Sequence, residues 1–221
     1  MDNSISTKSN AALDFWFEFG SNYSYLSVMR IEDVAARHGV TVRWKPFLLG
    51  PIFKSFGWES SPFVMQKEKG EYAWKDMARQ CKKLGIPWIR PTNFPRSAIL
   101  PHRVALVGAE QPWMAAYCRK MMTLNFGLDR DIDSKEVVTE VLEELKLPAA
   151  QIIDQATSEQ NKLNLRQQTE AAKAKGIFGA PTFFVGNEMF WGNDRMDEAF
   201  EYCSDTAAQQ TAATPRLVAS N

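Results

Sequence analysis

The sequence has few of the residues that support redox, metal or nucleic-acid chemistry. Cys81, Cys118 and Cys203 stand far apart, and no two form the Cys-x-x-Cys pair of a disulfide oxidoreductase or a cysteine zinc site. His38 and His102 lack metal-ligand spacing, so we expect packing roles and no metal site. The 26 basic and 26 acidic residues cancel, which argues against a nucleic-acid binder or a polybasic membrane protein.

Long apolar runs are also missing. Residues 1–12 lack the apolar core of a secretory signal, and no stretch approaches the roughly 20 apolar residues of a membrane span. We therefore expect a cytoplasmic protein that does not enter a membrane. A hydrophobic content of 45% is enough for a sizeable core, and 221 residues fit one domain, or one domain with a large insertion.

The first part of the chain predicts a βαβ unit. Apolar and polar residues alternate over 13–19, which is the period of a strand. A helix is predicted to begin at Asn22 or Tyr23 and to end at Gly39, a residue suited to a left-handed cap. Residues 40–44 alternate again. A strand, a helix and a second strand imply parallel pairing with a right-handed crossover.

The middle of the chain has helical spacing, and the β pattern returns near the end. Helices are predicted around residues 74–84, 113–124 and 158–175, with a further helix capped by Ser134. Short apolar runs at 181–185 and 188–191 are separated by Gly186-Asn187, a typical two-residue hairpin turn. A last helix follows, with Asn193 as its expected cap.

This order predicts an α/β fold in which a thioredoxin-like domain, β-α-β followed by β-β-α, is interrupted by an all-helical insertion. Residues 12–53 and 173–206 would form the thioredoxin-like domain, and 54–172 the insertion. Residues 1–11 and 207–221 are predicted to be flexible tails.

Two serines stand at the turn where the first strand leads into the helix. Ser21 and Ser24 occupy the positions at which a redox enzyme of this fold would have cysteines. Disulfide exchange needs a thiolate, so that chemistry is absent. At a positive helix end, a serine hydroxyl can instead donate a hydrogen bond to the thiolate of another molecule. A simple helix cap is the alternative interpretation.

Two later segments complete the pattern. Pro181 stands at the start of a strand after Gly179-Ala180 and resembles the cis-proline of thioredoxin-like proteins. That resemblance implies a cis bond, which exposes the preceding backbone N–H and C=O groups to a peptide-like ligand. An edge-strand proline is the alternative. Residues 190–195, Phe-Trp-Gly-Asn-Asp-Arg, lead from a strand to a helix N-terminus, where amide and carboxylate groups can hold an α-carboxylate and an α-amine. Capping is again the alternative.

Together these segments resemble the 2-hydroxychromene-2-carboxylate isomerase family and its relatives, the kappa-class glutathione transferases. The resemblance spans residues 13–203 and includes 47–54, Phe-Leu-Leu-Gly-Pro-Ile-Phe-Lys, and 90–95, Arg-Pro-Thr-Asn-Phe-Pro. It implies a homodimer that uses glutathione to isomerise 2-hydroxychromene-2-carboxylate-type compounds to trans-o-hydroxybenzylidenepyruvate-type products in aromatic degradation. A transient adduct of the glutathione thiolate would allow the double bond to rotate.

The resemblance also implies residue roles. Ser21 would be catalytic and would hydrogen-bond the glutathione sulfur, and the Ala180 backbone would pair with the cysteinyl unit. The γ-glutamyl end would be held by Trp191, Gly192, Asn193 and Asp194, and the aromatic substrate by Asn93 and Phe94. Apart from the resemblance, Lys54 is a candidate to meet the substrate carboxylate, with a solvated lysine as the alternative interpretation. The sequence departs from the family at Asn22, where relatives usually have proline, and at Trp58 and Glu59, where they often have asparagine.

Two alternatives remain open from the sequence. A kappa-class glutathione transferase would use the same Ser21 and would release a conjugate. A redox-inactive thioredoxin-like binding or chaperone module would lack glutathione affinity. A disulfide oxidoreductase is excluded by the missing cysteine pair.

Overall fold

The computed structural model describes residues 11–213, which contain one four-stranded sheet. The strands are β1 (Ala12–Phe17), β2 (Thr41–Pro46), β3 (Thr182–Val185) and β4 (Glu188–Trp191), in the spatial order β2-β1-β3-β4. β1 pairs in parallel with β2 and antiparallel with β3, and β3 pairs antiparallel with β4. The four strands predicted from the sequence therefore form one sheet.

Ten α-helices in the described part of the chain complete the fold. α1 (Asn22–His38) connects β1 to β2, and α10 (Met196–Ala213) follows β4. The segment between β2 and β3 holds α2 (Leu49–Ser55), α3 (Pro62–Met65), α4 (Lys67–Leu84), α5 (Ile99–Val107), α6 (Met114–Gly127), α7 (Lys135–Glu144), α8 (Ala149–Thr157) and α9 (Glu159–Ala174).

The ends of α1 follow from local sequence. Ser21 is its N-cap, and its side chain accepts a hydrogen bond from the Ser24 N–H. Gly39 ends the helix with φ 62°, and its N–H bonds back to the carbonyls of Ala35 and Ala36. Both ends agree with the prediction, and the cap places Ser21 at the end of the short turn that follows β1.

The two faces of the sheet pack into separate apolar clusters. Phe15 stacks on Phe17 and on Phe183 at ring-centroid distances of 5.2 Å, in the larger cluster that also includes α1 and α10. On the other face, Trp16 and Phe184 pack in a smaller cluster with residues of α2 and α9. Because successive strand residues point to opposite faces, one short strand supplies both clusters.

The segment between β2 and β3 has helices and turns and no strand among its described residues. This agrees with an all-helical insertion. The boundaries proposed for it, residues 54 and 172, stay a prediction, and α2 and α9 each run across one of them. No helix within 11–213 combines the length and apolarity needed to cross a membrane.

Two local predictions need correction. Asn193 is not the cap of the last helix: it begins a short 3₁₀ turn, Asn193–Arg195, whose N-cap is Gly192. The predicted flexible tail starts at 207, whereas α10 continues to Ala213. Ala207 packs against the main core, and alanine and glutamine favour helix. Ala11, predicted to lie in the other tail, is buried. Residues 1–10 and 214–221 of the predicted tails lie outside the described residues.

Candidate active site

Ser21 lies where β1, α1 and the start of β3 meet. Its hydroxyl accepts the Ser24 N–H at 3.2 Å and donates to the Ala180 carbonyl oxygen at 2.8 Å. The Ser21 N–H in turn bonds to the Glu18 carbonyl at 3.1 Å, which closes the turn between strand and helix. Ser21 is therefore both a helix cap and a hydrogen-bond donor at the positive end of a 17-residue helix.

Ala180 reaches Ser21 because β3 pairs with β1. The Ala180–Pro181 bond is cis, as predicted. The Pro181 carbonyl accepts the Gly192 N–H at 2.9 Å, and the Thr182 hydroxyl donates to the Gly179 carbonyl at 2.9 Å. These contacts fix the backbone on both sides of Ala180, so its carbonyl has a defined position beside the Ser21 hydroxyl.

Asn193 lies against the second turn of α1. Its Oδ1 accepts hydrogen bonds from the Ser27 hydroxyl at 3.1 Å and from Nη1 of Arg30 at 3.5 Å. Nη2 of Arg30 forms a 2.6 Å ion pair with Asp197. The sequence interpretation missed Ser27 and Arg30. Ser27 lies one turn after Ser24 on α1, and Arg30 lies one turn after Ser27.

Trp191 and Asp194 border the same region from β4 and the 3₁₀ turn. The Trp191 ring is half exposed and packs edge-on against Phe178 at 4.8 Å. A Cβ atom at Gly179 would lie 2.4 Å from its Nε1, so the indole keeps this position only beside a glycine. Gly192 has φ 108°, and a Cβ there would lie 2.4 Å from Oδ1 of the exposed Asp194. The four residues predicted for the γ-glutamyl end are thus adjacent.

The segment containing Phe94 borders the other side of the turn. Phe94 packs edge-on against Trp74 at 4.6 Å, and its bond to Pro95 is cis. The carbonyl oxygen of Arg96 lies 3.1 Å from the position that a Cβ of Gly20 would take. Two proline-containing segments therefore flank the turn, one from the helical segment and one from β3.

Asn93 and Lys54 are exposed. Within residues 11–213, no hydrogen bond or ion pair joins either side chain to Ser21. Ser21 thus bonds directly to Ala180, and Asn193 bonds to Ser27 on the helix that Ser21 caps. Neither kind of connection links Lys54 or Asn93 to Ser21 among the described residues. Trp58, on the side that the sequence left unassigned, packs on Phe53 at 5.6 Å.

Polar groups behind the turn were also missed. The Phe19 N–H donates to Nε2 of His102 at 3.3 Å, and the Phe19 carbonyl accepts from Nδ2 of Asn125 at 3.0 Å. Burial lowers the pKa of His102 to about 4, so the ring is neutral and can accept at Nε2 while Nδ1–H donates to Ala98. The packing role expected for His102 agrees with this position. Nothing in its local sequence indicates the contact.

Comparisons with known proteins agree with this geometry. A family model described as a DSBA-like thioredoxin domain matches residues 12–202. A 2-hydroxychromene-2-carboxylate isomerase from Pseudomonas putida is 30% identical over 83% of this chain and 90% of its own length. The chain belongs to this isomerase family.

Other members and relatives support the assignment. A solved 2-hydroxychromene-2-carboxylate isomerase structure superposes with a TM-score of 0.81 at 25% identity, covering 92% of this chain and all of that one. Glutathione S-transferase kappa 1 from Rattus norvegicus is 25% identical over 84% of this chain and 87% of its length. The resemblance stated from the sequence, the fold class and the prediction of an enzyme are confirmed; the residue roles stay predictions.

Proposed function

We propose that the protein is a glutathione-dependent isomerase that converts 2-hydroxychromene-2-carboxylate-type compounds to trans-o-hydroxybenzylidenepyruvate-type products in aromatic degradation. The observation that supports this most directly is the position of the Ser21 hydroxyl, between the N-terminus of α1 and the Ala180 carbonyl. The names of the relatives describe an isomerisation of 2-hydroxychromene-2-carboxylate for one group and glutathione transfer for the other.

The polar groups around Ser21 fit a thiol-bearing peptide. Nδ2 of Asn22, the first residue of α1, has no hydrogen-bond partner among the described residues, so this end of the helix still has an unused hydrogen-bond donor. A negatively charged sulfur at the helix N-terminus would be stabilised by the helix dipole and unpaired N–H groups. When bound, glutathione would supply a thiolate that adds to the substrate double bond and later leaves it.

Ser21 and Ala180 would act together. The hydroxyl proton of Ser21 now points to the Ala180 carbonyl oxygen. A cysteinyl N–H of the ligand can take over that carbonyl, which frees the hydroxyl to donate to the sulfur. A donor at the charged form lowers the pKa of a thiol. Ser21 would thus keep the sulfur ionised and oriented.

The γ-glutamyl end would lie at Asn193. Ser27, which bonds to Asn193, is six residues after Ser21, a distance of about 9 Å along the axis of α1. Roughly three residues of extended peptide cover that length, and glutathione is a tripeptide. Asn193 and Asp194 would contact the γ-glutamyl group, with Trp191 and Gly192 shaping the wall beside it.

The aromatic substrate would bind opposite, next to Gly20. Phe94 offers an aromatic surface beside the turn, and Asn93 adjoins it in sequence. Lys54, at the end of α2, would attract the substrate carboxylate. The proposal includes a homodimer, which the family resemblance implies. It also includes a cytoplasmic location, in line with the three cysteines being free and buried.

Analysis of products tests this function. The protein is incubated with a 2-hydroxychromene-2-carboxylate, with and without glutathione. An isomerase gives the ring-opened product only with glutathione and leaves the glutathione concentration unchanged. A kappa-class transferase, the alternative that the related transferases favour, would consume glutathione on an electrophile. Lack of glutathione binding would contradict both and would leave the redox-inactive binding module.

A further inference from the structure

A buried carboxyl group lies directly behind the Ser21 turn. Glu18 has a side chain that is 13% exposed, and its carboxylate accepts the N–H of Gly20, the residue before Ser21. A Cβ at Gly20 would lie 3.0 Å from Oε2 of Glu18. The Ser21 N–H bonds to the Glu18 carbonyl, so residues 18 and 21 close one tight turn with their Cα atoms within about 7 Å.

The surroundings of this carboxyl group favour its neutral form. Oε1 of Glu18 lies 3.8 Å from Nε2 of His102, which already accepts the Phe19 N–H and is neutral. His102 therefore offers no charge to an ionised Glu18. Burial raises the pKa of Glu18 to about 7, even though the Gly20 N–H opposes the shift.

Among the described residues, no cation lies close enough to compensate an ionised Glu18. The guanidinium group of Arg96 turns away to Asn125 and Asp129, and Arg96 approaches the turn through its carbonyl oxygen. Asn125, from α6, is neutral. Within 4.0 Å, the described residues give Glu18 one ion-pairing neighbour, His102.

We propose that the Glu18 carboxyl group, held behind the turn by Gly20 and facing His102, controls the acidity of a thiol bound at Ser21. This inference rests on the proposed function. An ionised Glu18 places a negative charge beside the position of the thiolate and disfavours the thiolate, whereas a protonated Glu18 does not. The effect is reciprocal: a thiolate at Ser21 keeps Glu18 protonated to higher pH. Two groups coupled in this way titrate in shared steps.

The substitution Glu18→Gln tests this coupling, because it removes the charge and keeps an oxygen acceptor for Gly20. The readout is the ultraviolet absorbance of the glutathione thiolate across pH with glutathione bound. We expect the ionisation constant of the bound thiol to rise about tenfold in E18Q. Asp14→Asn is the matched control: Asp14 lies within β1, roughly 13 Å along the chain from Glu18, and pairs with Arg43. D14N should titrate like the wild type.

A second measurement uses the wild-type protein alone. Burial raises the pKa of Glu18 to about 7, so we expect this residue to give an infrared band of a protonated carboxyl group above pH 6. Glutathione should shift the midpoint of this band to higher pH. A midpoint that glutathione does not move would overturn the proposal.

The outcomes separate this inference from the function on which it rests. If wild type and E18Q both bind glutathione and their thiolate titrations coincide, the coupling is absent while glutathione use stands. If the wild-type protein shows no binding of glutathione, the proposed function fails and the coupling fails with it.

Discussion

The Ser21 hydroxyl donates a 2.8 Å hydrogen bond to the Ala180 carbonyl, across 159 positions of sequence. The bond joins the N-terminus of α1 to the segment just before β3, and the whole helical segment lies between them in the chain. A hydroxyl and a backbone carbonyl are thereby brought to one point at a positive helix end. The predictions below test what this arrangement does.

The Asn193 end should contribute to glutathione binding. At 100 times its dissociation constant, glutathione should stabilise the wild-type protein by about 2.7 kcal/mol. Replacing Asn193 and Asp194 together by alanine should weaken the affinity, and thermal denaturation with and without glutathione measures it. The double variant should fold, because Arg30 keeps its ion pair with Asp197. An unchanged affinity would place the γ-glutamyl group elsewhere.

Gly179→Ala should disturb the wall formed by Trp191. The new Cβ would meet Nε1 at 2.4 Å, so the indole must move, and glutathione binding measured by calorimetry should weaken. G179A combined with Trp191→Ala is the control, since it removes the clash. We expect G179A to add no further loss of affinity in a W191A background; a full additional loss there would show that the indole is not involved.

Glu18 and His102 should make opposite contributions to the pH dependence of the free energy of unfolding between about pH 4.5 and 6.5. In the unfolded chain over this range Glu18 is ionised and His102 is protonated, whereas in the folded protein the proton is on Glu18. Both states bind one proton, so the pair contributes no pH dependence there. E18Q leaves His102, whose lowered pKa makes the folded state lose stability as pH falls from 6.5 toward 4.

At pH 4, the free energy of unfolding of E18Q should be about 3 kcal/mol lower than that of the same variant at pH 7. Chemical denaturation of wild type, E18Q and D14N at several pH values measures it, and the difference between the wild type and E18Q isolates the pair. A pH dependence that is the same in E18Q and wild type would contradict the assigned protonation states.

Local elements of the fold could be predicted from the sequence. The cap at Ser21, the left-handed end at Gly39 and the Gly186-Asn187 turn depend on neighbouring residues, and each is where the pattern indicates. The cis bond before Pro181 was predicted through the family resemblance and the flanking glycines.

Features that depend on distant contacts could not be predicted. Asn193 has the sequence of a cap, but its amide oxygen bonds instead to Ser27 and Arg30. Nothing in the alternation of β1 shows that Glu18 would face His102, since that contact depends on how α5 packs. Lys54 was assigned from its positive charge, and its exposed position in this structure does not test that role.

Replacing Ser21 by alanine should slow turnover far more than it weakens glutathione binding. A hydrogen bond to a charged group contributes on the order of 1.5–3 kcal/mol, which corresponds to roughly a 10- to 150-fold loss of rate near neutral pH. Part of the loss should be recovered at higher pH, where the thiol ionises unaided. If Ser21 were only a cap, stability would fall by about 1 kcal/mol and the pH–rate profile would keep its shape.

The acidity of bound glutathione tests the central claim most directly. The thiolate absorbance is followed across pH in the wild type, in Ser21→Ala and in Ser24→Ala, whose buried hydroxyl donates no hydrogen bond among the described residues. We predict that the pKa of the bound thiol rises by roughly one to two units in S21A and stays at the wild-type value in S24A. A thiol pKa in S21A equal to that of the wild type would show that Ser21 does not stabilise the thiolate.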